Sequence, residues 1–319
     1  MGGDRRTVGL VGARGYVGQE LIRILLRHPR LAIAYVVSRT QAGAPVAGVV
    51  PGAPPDLLFE DLSAEQAAAR AADAVVLALP NDLSPPHVAA IEAARPDAVL
   101  VDVSADHRFD DAWVYGLPEH HRARLAGARR IANPGCYATA AALCVRPVAA
   151  LLAAPASAFG VSGYSGAGAT PSPRNDVEAL RDNLMPYSLV GHVHEREVTR
   201  HAGPTALMPH VAPFFRGISM TVSMTFEAPL SLDALRARYE QAYAGEPLIR
   251  LTDAIPLVRD AANRPHASIG GFVVDEARRR GVVVATLDNL LKGAASQAVQ
   301  NLNLALGLPE LEGLHPWPE

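Results

Sequence analysis

A glycine-rich turn near the start of the chain constrains the fold more than any other feature of the sequence. Gly12, Gly15 and Gly18 lie where a predicted strand over residues 7–13 gives way to a predicted amphipathic helix over residues 16–28. Glycine lets the backbone turn tightly and approach a pyrophosphate, and the helix N-terminus supplies free N–H groups. This context predicts dinucleotide binding, although close helix–strand packing alone would also favour glycine.

Strand-like and helix-like segments alternate through the first 134 residues. Helices are predicted from Ser63 onward and over residues 84–95. Further apolar strands are predicted over residues 32–38, 74–79, 98–104 and 130–133. Uninterrupted apolar strands between helices indicate a parallel sheet that is buried on both faces, as in a Rossmann-type nucleotide-binding domain.

The pattern changes in the second half of the chain. Residues 218–228 alternate between polar and apolar side chains, and residues 267–275 and 281–289 flank a charged turn, as in an antiparallel hairpin. Helices are predicted over residues 232–244 and 290–306. The sequence therefore predicts an α/β fold, in which the parallel-sheet domain is followed by an α+β domain with a largely antiparallel sheet.

Composition excludes several classes of protein. With 49% hydrophobic and only 19% charged residues, the chain is predicted to fold rather than to remain disordered. The net charge of −3 gives no basic surplus for nucleic acid, and prolines interrupt the uncharged residues 147–173, so we predict no membrane span. Two cysteines make no disulfide framework and no secretory signal is visible, so we expect a cytoplasmic protein.

The second predicted strand ends at Ser38 and Arg39. NAD-binding enzymes usually carry an acidic residue at this point for the ribose 2′-hydroxyl, whereas serine and arginine suit a 2′-phosphate. The sequence therefore favours NADP(H) over NAD. The alternative is an ordinary solvated arginine at a strand end.

Cys136 follows Pro134 and Gly135 at the point where a strand gives way to an Ala-rich helix. A helix N-terminus stabilises a thiolate, and a neighbouring cation or histidine brings a cysteine pKa down to roughly 3.5–7.5. A thiolate together with a nucleotide fold suggests covalent catalysis, in which the thiolate attacks an acyl group and hydride then reduces the thioester. The alternative is a buried, inert cysteine, which we expect of Cys144.

Several motifs, in order along the chain, resemble those of the N-acetyl-γ-glutamyl-phosphate reductases, which are relatives of aspartate-semialdehyde dehydrogenase. They read GLVGARGYVGQEL, VDVSADHRF, YGLPE, IANPGCYATAAALCVRP, SGYSGAG, GHVHERE, LMPHVAPFFRGI and DNLLKGAASQAVQNLNLALG. The resemblance implies reduction of N-acetylglutamyl 5-phosphate by NADPH, which yields N-acetylglutamate 5-semialdehyde and inorganic phosphate in arginine biosynthesis. It implies Cys136 as the nucleophile and a homo-oligomer, a dimer or tetramer formed through the second domain.

The segment GHVHERE carries the candidate proton carrier. The family's motif places the acid/base histidine at His194, and histidine has the ordinary pKa for this task. His192 and Glu197 are substrate-binding candidates, and Glu197 could instead orient His194. Two histidines and a glutamate are also metal-ligand types, but an organic mechanism needs no metal, and we predict none.

Two other segments, one before and one after GHVHERE, carry the remaining substrate candidates. Ser104 and Arg108 follow the fourth strand at the carboxyl edge of the sheet, where ligands bind in open α/β folds. We expect Arg108 to hold the acyl phosphate or the α-carboxylate through paired hydrogen bonds. His210 and, more strongly, Arg216 lie in a block that resembles the family's substrate-domain loop, where Arg216 either binds substrate or pairs with an acid.

The loop over residues 162–168 is expected to wrap the nicotinamide or the substrate phosphate with its N–H groups. The family usually has a basic residue directly after this loop, whereas this chain has Ala169, with Arg174 nearby as a substitute. Lys292 is the single lysine among 29 basic residues, and the resemblance implies that its helix returns to the first domain. The residues expected to contact the cofactor are Gly12, Arg14, Gly15, Tyr16, Val17, Gly18, Ser38, Arg39, Pro80, Ser165, Gly166, Asn289 and Lys292.

The resulting domain prediction is residues 1–134 with 290–319 for NADP binding, and residues 135–289 for catalysis, substrate binding and oligomerisation.

Aspartate-semialdehyde dehydrogenase and the aminoadipyl-phosphate reductase of carrier-linked lysine synthesis are alternative functions with the same chemistry. A cofactor-binding regulator with a dead site would not need both Cys136 and His194. A thiol hydrolase would not need the dinucleotide turn.

Overall fold

The structure, a computed structural model, describes residues 5–314 and divides into two compact units. The chain up to Pro134 and the segment from Ala294 onward form the first unit, and Gly135–Gly293 form the second. The outermost parts of the predicted first domain, residues 1–4 and 315–319, lie outside the described residues. No helix within residues 5–314 combines the length and the apolar character that a membrane span requires.

The first unit is built on a parallel sheet of seven strands in the order β3-β2-β1-β4-β5-β7-β6. Every residue of β4 and β5 is buried, which confirms the prediction from their uninterrupted apolar sequences. The strands are β1 (Arg6–Val11), β2 (Leu31–Val37), β3 (Phe59–Glu60), β4 (Ala74–Leu77), β5 (Val99–Asp102), β6 (Val114–Tyr115) and β7 (Arg130–Ala132).

Helices pack against this sheet, and their ends follow local sequence signals. Ser63 caps one helix in a reciprocal hydrogen-bonded box with Gln66, and Pro85 occupies the first turn of the next, where a missing N–H costs nothing. The helices of this unit are α1 (Tyr16–Arg27), α2 (Ala64–Ala69), α3 (Pro85–Ala94), α4 (Pro118–Leu125) and, last in the chain, α10 (Ala295–Ala305).

The second unit contains a mixed sheet of seven strands in the order β12-β13-β14-β11-β8-β10-β9. Four of its six strand pairs are antiparallel, and only β8–β10 and β12–β13 run parallel. The strands are β8 (Ala156–Gly163), β9 (Met185–Pro186), β10 (Thr205–Ala212), β11 (Ile218–Thr225), β12 (Ile249–Leu251), β13 (Ala267–Asp275) and β14 (Arg280–Leu287). The predicted hairpin is the antiparallel pair β13–β14, so the largely antiparallel character is confirmed.

The helices of the second unit are α5 (Cys136–Val145), α6 (Val177–Leu180), α7 (Val193–His201), α8 (Leu232–Ala242) and α9 (Val258–Ala261). Every residue of α5 after Cys136 is buried, because the helix packs against β8, β11, β14 and α7. The hydroxyl of Tyr243 in the segment after α8 donates to Leu143 O over 2.5 Å. This carbonyl lies four residues before Pro147, which has no N–H to offer, so the tyrosine supplies the missing donor.

Two local predictions are wrong. The last helix begins at Ala295 and not at residue 290, because the buried carboxylate of Asp288 accepts the N–H groups of Leu290 and Leu291 and holds them in a turn. The block that resembles a substrate-domain loop contains strand β10, whose alternating burial is the signature of a half-exposed strand.

Candidate active site

The glycine-rich turn joins β1 to α1, and glycine occupies its positions for different structural reasons. Gly12 has a φ of +82°, and a Cβ there would lie 2.5 Å from Ala78 O. A Cβ on Gly18 would lie 2.4 Å from the backbone of Ala13, so this glycine serves the packing of helix on strand. Nothing among the described residues lies within 4 Å of a Cβ built on Gly15, which leaves open space at the start of α1.

Other residues predicted to bind the cofactor lie at the same edge of the sheet. Ser38 and Arg39 follow β2, and Pro80 follows β4, and both strands flank β1 in parallel. Arg14, Tyr16 and Val17 are half-buried within the turn, and Arg39 is exposed. Because parallel strands end at one edge, the structure brings these residues to the edge where α1 begins, which is where dinucleotide phosphates bind in folds of this type.

A cavity of about 530 Å³ in the same unit lies elsewhere. It is lined by Leu100, Val114 and Arg130, among others, at the amino ends of β5, β6 and β7. The glycine-rich turn follows the carboxyl end of β1 in the same parallel sheet. The cavity is therefore not part of the predicted cofactor site.

The loop after β5 is held by a buried carboxylate that the sequence analysis did not single out. Asp102 is fully buried and accepts hydrogen bonds from Ser84 Oγ, from the N–H and hydroxyl of Ser104, and from the His107 ring over 2.7 Å. The hydroxyl of Ser104, predicted to bind substrate, therefore donates to Asp102 within the protein. The available signal was an aspartate that ends an apolar strand, with a serine two residues later.

Arg108, the predicted anion-binding residue of this loop, is also engaged by the protein. Its Nε donates to Asn133 O over 2.9 Å, and its Nη2 donates to Val103 O over 2.8 Å. The side chain is buried. These contacts fix the loop against the end of β7.

Cys136 is the first residue of α5 and is partly exposed. Gly135 precedes it as N-cap and has no side chain of its own to cap the helix end. The segment before α10 packs closely on this point, since a Cβ on Gly293 would lie 2.7 Å from the Cβ of Cys136. The thiol thus lies at a helix N-terminus, which is an environment that stabilises a thiolate.

Helix α7 brings the GHVHERE residues to the start of α5. The Glu197 carboxylate is fully buried and accepts the N–H of Gly135 over 2.8 Å. The rings of His194 and Tyr137 are 6.0 Å apart between centroids. The structure therefore places both predicted catalytic residues in the second unit, and Glu197 supports the peptide that precedes the cysteine.

His192 has a structural task that distinguishes it from His194. It is the N-cap of α7, and its Nδ1 accepts the N–H of His194 over 3.1 Å. Burial lowers the pKa of His192, and the positive charge of Arg174 lowers it further. Because Nδ1 accepts a hydrogen bond and the cation is disfavoured, His192 is suited to cap the helix rather than to carry protons.

Arg216 pairs with an acid, which was one of the two alternatives that the sequence left open. Its Nε donates to Asp288 Oδ2 over 2.6 Å, and its Nη2 donates to Oδ1 over 3.1 Å. Asp288 is fully buried and also accepts the N–H of Asn263. This bidentate pair ties the loop after β10 to the end of β14.

The predicted cofactor contacts in the second unit form a packed group. Asn289 donates to Ser165 Oγ and accepts the N–H of Gly217, and Lys292 is fully buried. A Cβ on Gly166 would lie 2.9 Å from Ser162 Oγ.

The backbone of the Gly/Ser loop is likewise engaged by the protein. The N–H groups of residues 163, 164 and 165 donate to carbonyls of residues 217, 214 and 215. These three N–H groups are therefore used within the fold and are not offered to a ligand. His210 lies in β10, where its ring packs on Phe159 at 4.4 Å between centroids.

Two tyrosines near Cys136 were missed by the sequence analysis. The hydroxyl of Tyr137 donates to His210 O over 2.6 Å, and Tyr187 lies edge-on to His192 with centroids 5.5 Å apart. Burial raises the pKa of both, for Tyr187 to about 12, with the nearby Cys136 as the next cause for Tyr187. Within residues 5–314, no three His, Cys, Asp or Glu side chains are grouped to hold a metal ion.

Comparison with known proteins agrees with this geometry. A family model described as semialdehyde dehydrogenase, NAD binding domain matches residues 7–128, and one described as semialdehyde dehydrogenase, dimerisation domain matches residues 136–289. The N-acetyl-gamma-glutamyl-phosphate reductase of Stenotrophomonas maltophilia (strain R551-3) is 55% identical over 97% of this chain and 98% of its own length. The chain belongs to the N-acetyl-γ-glutamyl-phosphate reductase family. The Xylella fastidiosa (strain 9a5c) member is 51% identical over 98% of this chain and 95% of its own length.

Solved structures share the fold of this reductase family at low sequence identity. Aspartate semialdehyde dehydrogenase II from Vibrio cholerae superposes with a TM-score of 0.77 at 18% identity, covering 95% of this chain and 99% of the other. Aspartate semialdehyde dehydrogenase with NADP from Candida albicans gives 0.74 at 14% identity, with the same coverage. As a member of an NAD(P)-dependent reductase family, the chain is an oxidoreductase.

Proposed function

We propose that this chain reduces N-acetylglutamyl 5-phosphate with NADPH to N-acetylglutamate 5-semialdehyde and phosphate, in the arginine biosynthesis of the cytoplasm. The observation that carries the proposal is the partly exposed Cys136 at the start of α5, with the Glu197–Gly135 hydrogen bond before it and the His194 helix, α7, packed against α5. The identity to named reductases over nearly the whole chain supports the choice of substrate.

The chemistry divides into two steps at Cys136. His194 accepts the thiol proton, the sulfur attacks the acyl carbon, and the bond from that carbon to the phosphate oxygen breaks. The proton leaves with the phosphate, and a thioester remains. Reduction of the thioester carbon needs a hydride, which a reduced nicotinamide would supply when bound. The carbon–sulfur bond then breaks, which releases the aldehyde and a thiolate, and one proton from solvent restores the thiol for the next cycle.

The protein residues in this scheme have separate tasks. Cys136 forms and breaks the covalent bond, His194 holds the proton, and Glu197 positions the Gly135 peptide that leads into α5. The helix N-terminus favours the thiolate over the thiol. Ser104 already donates its N–H and its hydroxyl to Asp102, so its proposed contact with substrate is as an acceptor. Arg108 remains a proposed substrate contact, with its Nε and Nη2 bonded to Asn133 O and Val103 O.

The first unit supports NADP as the cofactor. Arg39 is exposed directly after β2, and Ser38 precedes it. The acid on the neighbouring strand, Glu60, is already paired with Arg70 at 2.9 Å. A 2′-phosphate would therefore meet a cation rather than a carboxylate.

The open face of the second sheet supports a homo-oligomer. Exposed and half-exposed residues alternate with buried ones along β8 and β11. Phe159 in β8 is one of the exposed residues. We infer that a second copy covers this face, as the name of the matching dimerisation domain suggests. Light scattering on the purified chain tests the inference, and a mass of one chain at micromolar concentration would contradict it.

The experiment that tests the function is the reverse reaction, followed by NADPH absorbance. Protein is mixed with NADP, phosphate and N-acetylglutamate 5-semialdehyde, with NAD, aspartate semialdehyde and Cys136→Ala as separate controls. We expect phosphate-dependent NADPH formation that disappears in the variant and is much slower with NAD. Turnover of aspartate semialdehyde alone would assign the chain to the sister chemistry, and silence with both aldehydes would overturn the proposal.

A further inference from the structure

The loop between β8 and α6 has a defined shape that presents one cation. The side chain of Asn175 donates to Gly168 O and Thr170 O over 2.8 and 2.7 Å, and accepts the N–H of Ser172 over 2.7 Å. These three hydrogen bonds join the two ends of the loop over residues 168–175. Arg174, next to Asn175, is the only positively charged residue between Tyr164 and Asp176.

A series of ring contacts connects Arg174 to His194, the candidate proton carrier. Its guanidinium lies over the ring of Tyr187, 4.9 Å from the centroid, and Tyr187 is in edge contact with His192. The ring centroids of His192 and His194 are in turn 4.8 Å apart. The guanidinium is thus two rings away from His194 within the same unit.

Arg174 differs from the neighbouring arginines in having no carboxylate partner within residues 5–314. Arg181 pairs with Glu178 at 2.6 Å, and Arg216 pairs with Asp288, whereas Arg174 is exposed and contacts Tyr187, by stacking on its ring and by a side-chain hydrogen bond. A guanidinium carries several N–H donors, so one that stacks on a tyrosine and gives a hydrogen bond to it keeps other donors for a planar or tetrahedral oxyanion.

The positive charge of Arg174 acts to lower the pKa of two neighbouring side chains, His192 and Tyr187. After burial, it is the second cause that lowers the pKa of His192, and it opposes the burial that raises the pKa of Tyr187. An anion bound at Arg174 would balance this charge. The candidate substrate carries two oxyanions, its α-carboxylate and its phosphate.

We propose that Arg174 binds an oxyanion of the substrate and so fixes the acyl group relative to Cys136. The inference rests on the proposed function, and it goes further by naming a substrate-binding residue on the loop that follows β8. Arg108 and Arg216, the two arginines that the sequence analysis ranks as substrate-binding residues, already donate hydrogen bonds to protein oxygens.

The kinetic test measures the reverse reaction with Arg174→Ala, Arg174→Lys and, as a matched control, Arg181→Ala. Phosphate and aldehyde are varied separately, because they distinguish the two oxyanions. We expect Arg174→Ala to raise one of the two KM values about 10- to 100-fold with little change in kcat, which corresponds to loss of a charged hydrogen-bonded pair. A raised KM for phosphate assigns the phosphate, and a raised KM for the aldehyde assigns the carboxylate. Arg174→Lys should recover part of the loss, and Arg181→Ala should resemble the unmodified chain.

A second readout does not depend on turnover. Iodoacetamide should alkylate Cys136 and spare the buried Cys144, and either phosphate or N-acetylglutamate should slow the labelling of the unmodified chain. Arg174→Ala should lose that protection while its melting temperature stays within a few degrees. Unchanged KM values, a fall in kcat alone, or undiminished protection would each overturn the inference. An inactive unmodified chain would instead overturn the proposed function and leave the labelling experiment to decide on Arg174.

Discussion

The two cysteines of this chain lie eight residues apart on one helix, and the two ends of that helix are built for different purposes. Cys136 begins α5, is partly exposed and lies next to α7 with its histidines. Cys144 is fully buried near the other end, where burial raises the pKa of its thiol. The same side chain is therefore offered to substrate at one end and kept as a small apolar group at the other.

The polar neighbours of α5 follow the same division. At the first end, a buried glutamate accepts the N–H of Gly135, and aromatic rings surround the histidine pair. At the second end, the hydroxyls of Tyr239 and Tyr243 donate to the carbonyls of Cys144 and Leu143. The position on the helix, rather than the type of residue, decides which cysteine can react, since the N-terminal end favours a thiolate and the interior excludes it.

The largest expected difference is between substitutions of the two cysteines. Cys136→Ala should lower kcat by more than about 10³-fold, because the covalent intermediate can no longer form. Cys144→Ala should keep most of the activity and lower stability by about 1 kcal/mol, because it leaves a small cavity. Steady-state rates and thermal melts of both variants measure the contrast. Comparable losses of activity in the two variants would remove the distinction between the two ends of α5.

The next largest effect separates the two histidines at the first end. His194→Gln should lower kcat about 10²- to 10⁴-fold, as expected for loss of a general acid–base group. His192→Gln should act mainly on stability, by about 0.5–2 kcal/mol, because the helix cap is weakened. Rates and melting temperatures of both variants are measured side by side. Equal residual rates would contradict the assignment of His194 as the proton carrier.

At the buried end, a change should affect stability without affecting chemistry. Tyr243→Phe removes the hydroxyl that donates to Leu143 O, and the carbonyl is then left without a donor because Pro147, four residues on, has no N–H. We expect a loss of about 1–3 kcal/mol in the free energy of unfolding, with kcat and KM unchanged. Urea unfolding gives the first quantity, and the reverse assay gives the second. A matched Tyr164→Phe variant, outside α5 and its partners, controls for loss of a tyrosine hydroxyl in general.

The strands and the glycine-rich turn of the first unit could be predicted from sequence, whereas the contacts of individual polar side chains could not. The uninterrupted apolar strands and the glycine-rich turn specify the first unit locally, because burial on both faces requires that composition. The turn before α10 was missed because the N–H groups of Leu290 and Leu291 bind a side chain, Asp288, and not a helix carbonyl. The 3.6-residue periodicity of the helix says nothing about such a contact.

The residues around Cys136 were partly accessible from sequence for a similar reason. Cys136, His194 and Glu197 lie in recognisable motifs, whereas Tyr187 and Arg174 lie in a loop without regular periodicity and meet the site only through the fold. Arg216 and Asp288 are 72 residues apart, so their pairing could not be predicted from spacing. Polar networks across long separations are set by tertiary packing, which local patterns do not record.

The smallest expected effect is a pH dependence confined to the Cys136 end. The pKa of His192 is lowered in the folded protein, first by burial and then by Arg174. The unfolded chain therefore binds this proton more readily, so the stability from neutral His192 is present above pH about 6.5 and is lost as the pH falls below that value. Between pH 7 and 5 the unmodified chain should lose more unfolding free energy than His192→Gln, by at most about 1 kcal/mol because part of the ring is exposed. Cys144→Ala should follow the unmodified chain, since no histidine is substituted there, and urea unfolding at several pH values provides the comparison. Parallel curves for His192→Gln and the unmodified chain would show that the charge balance at this end of α5 does not depend on His192.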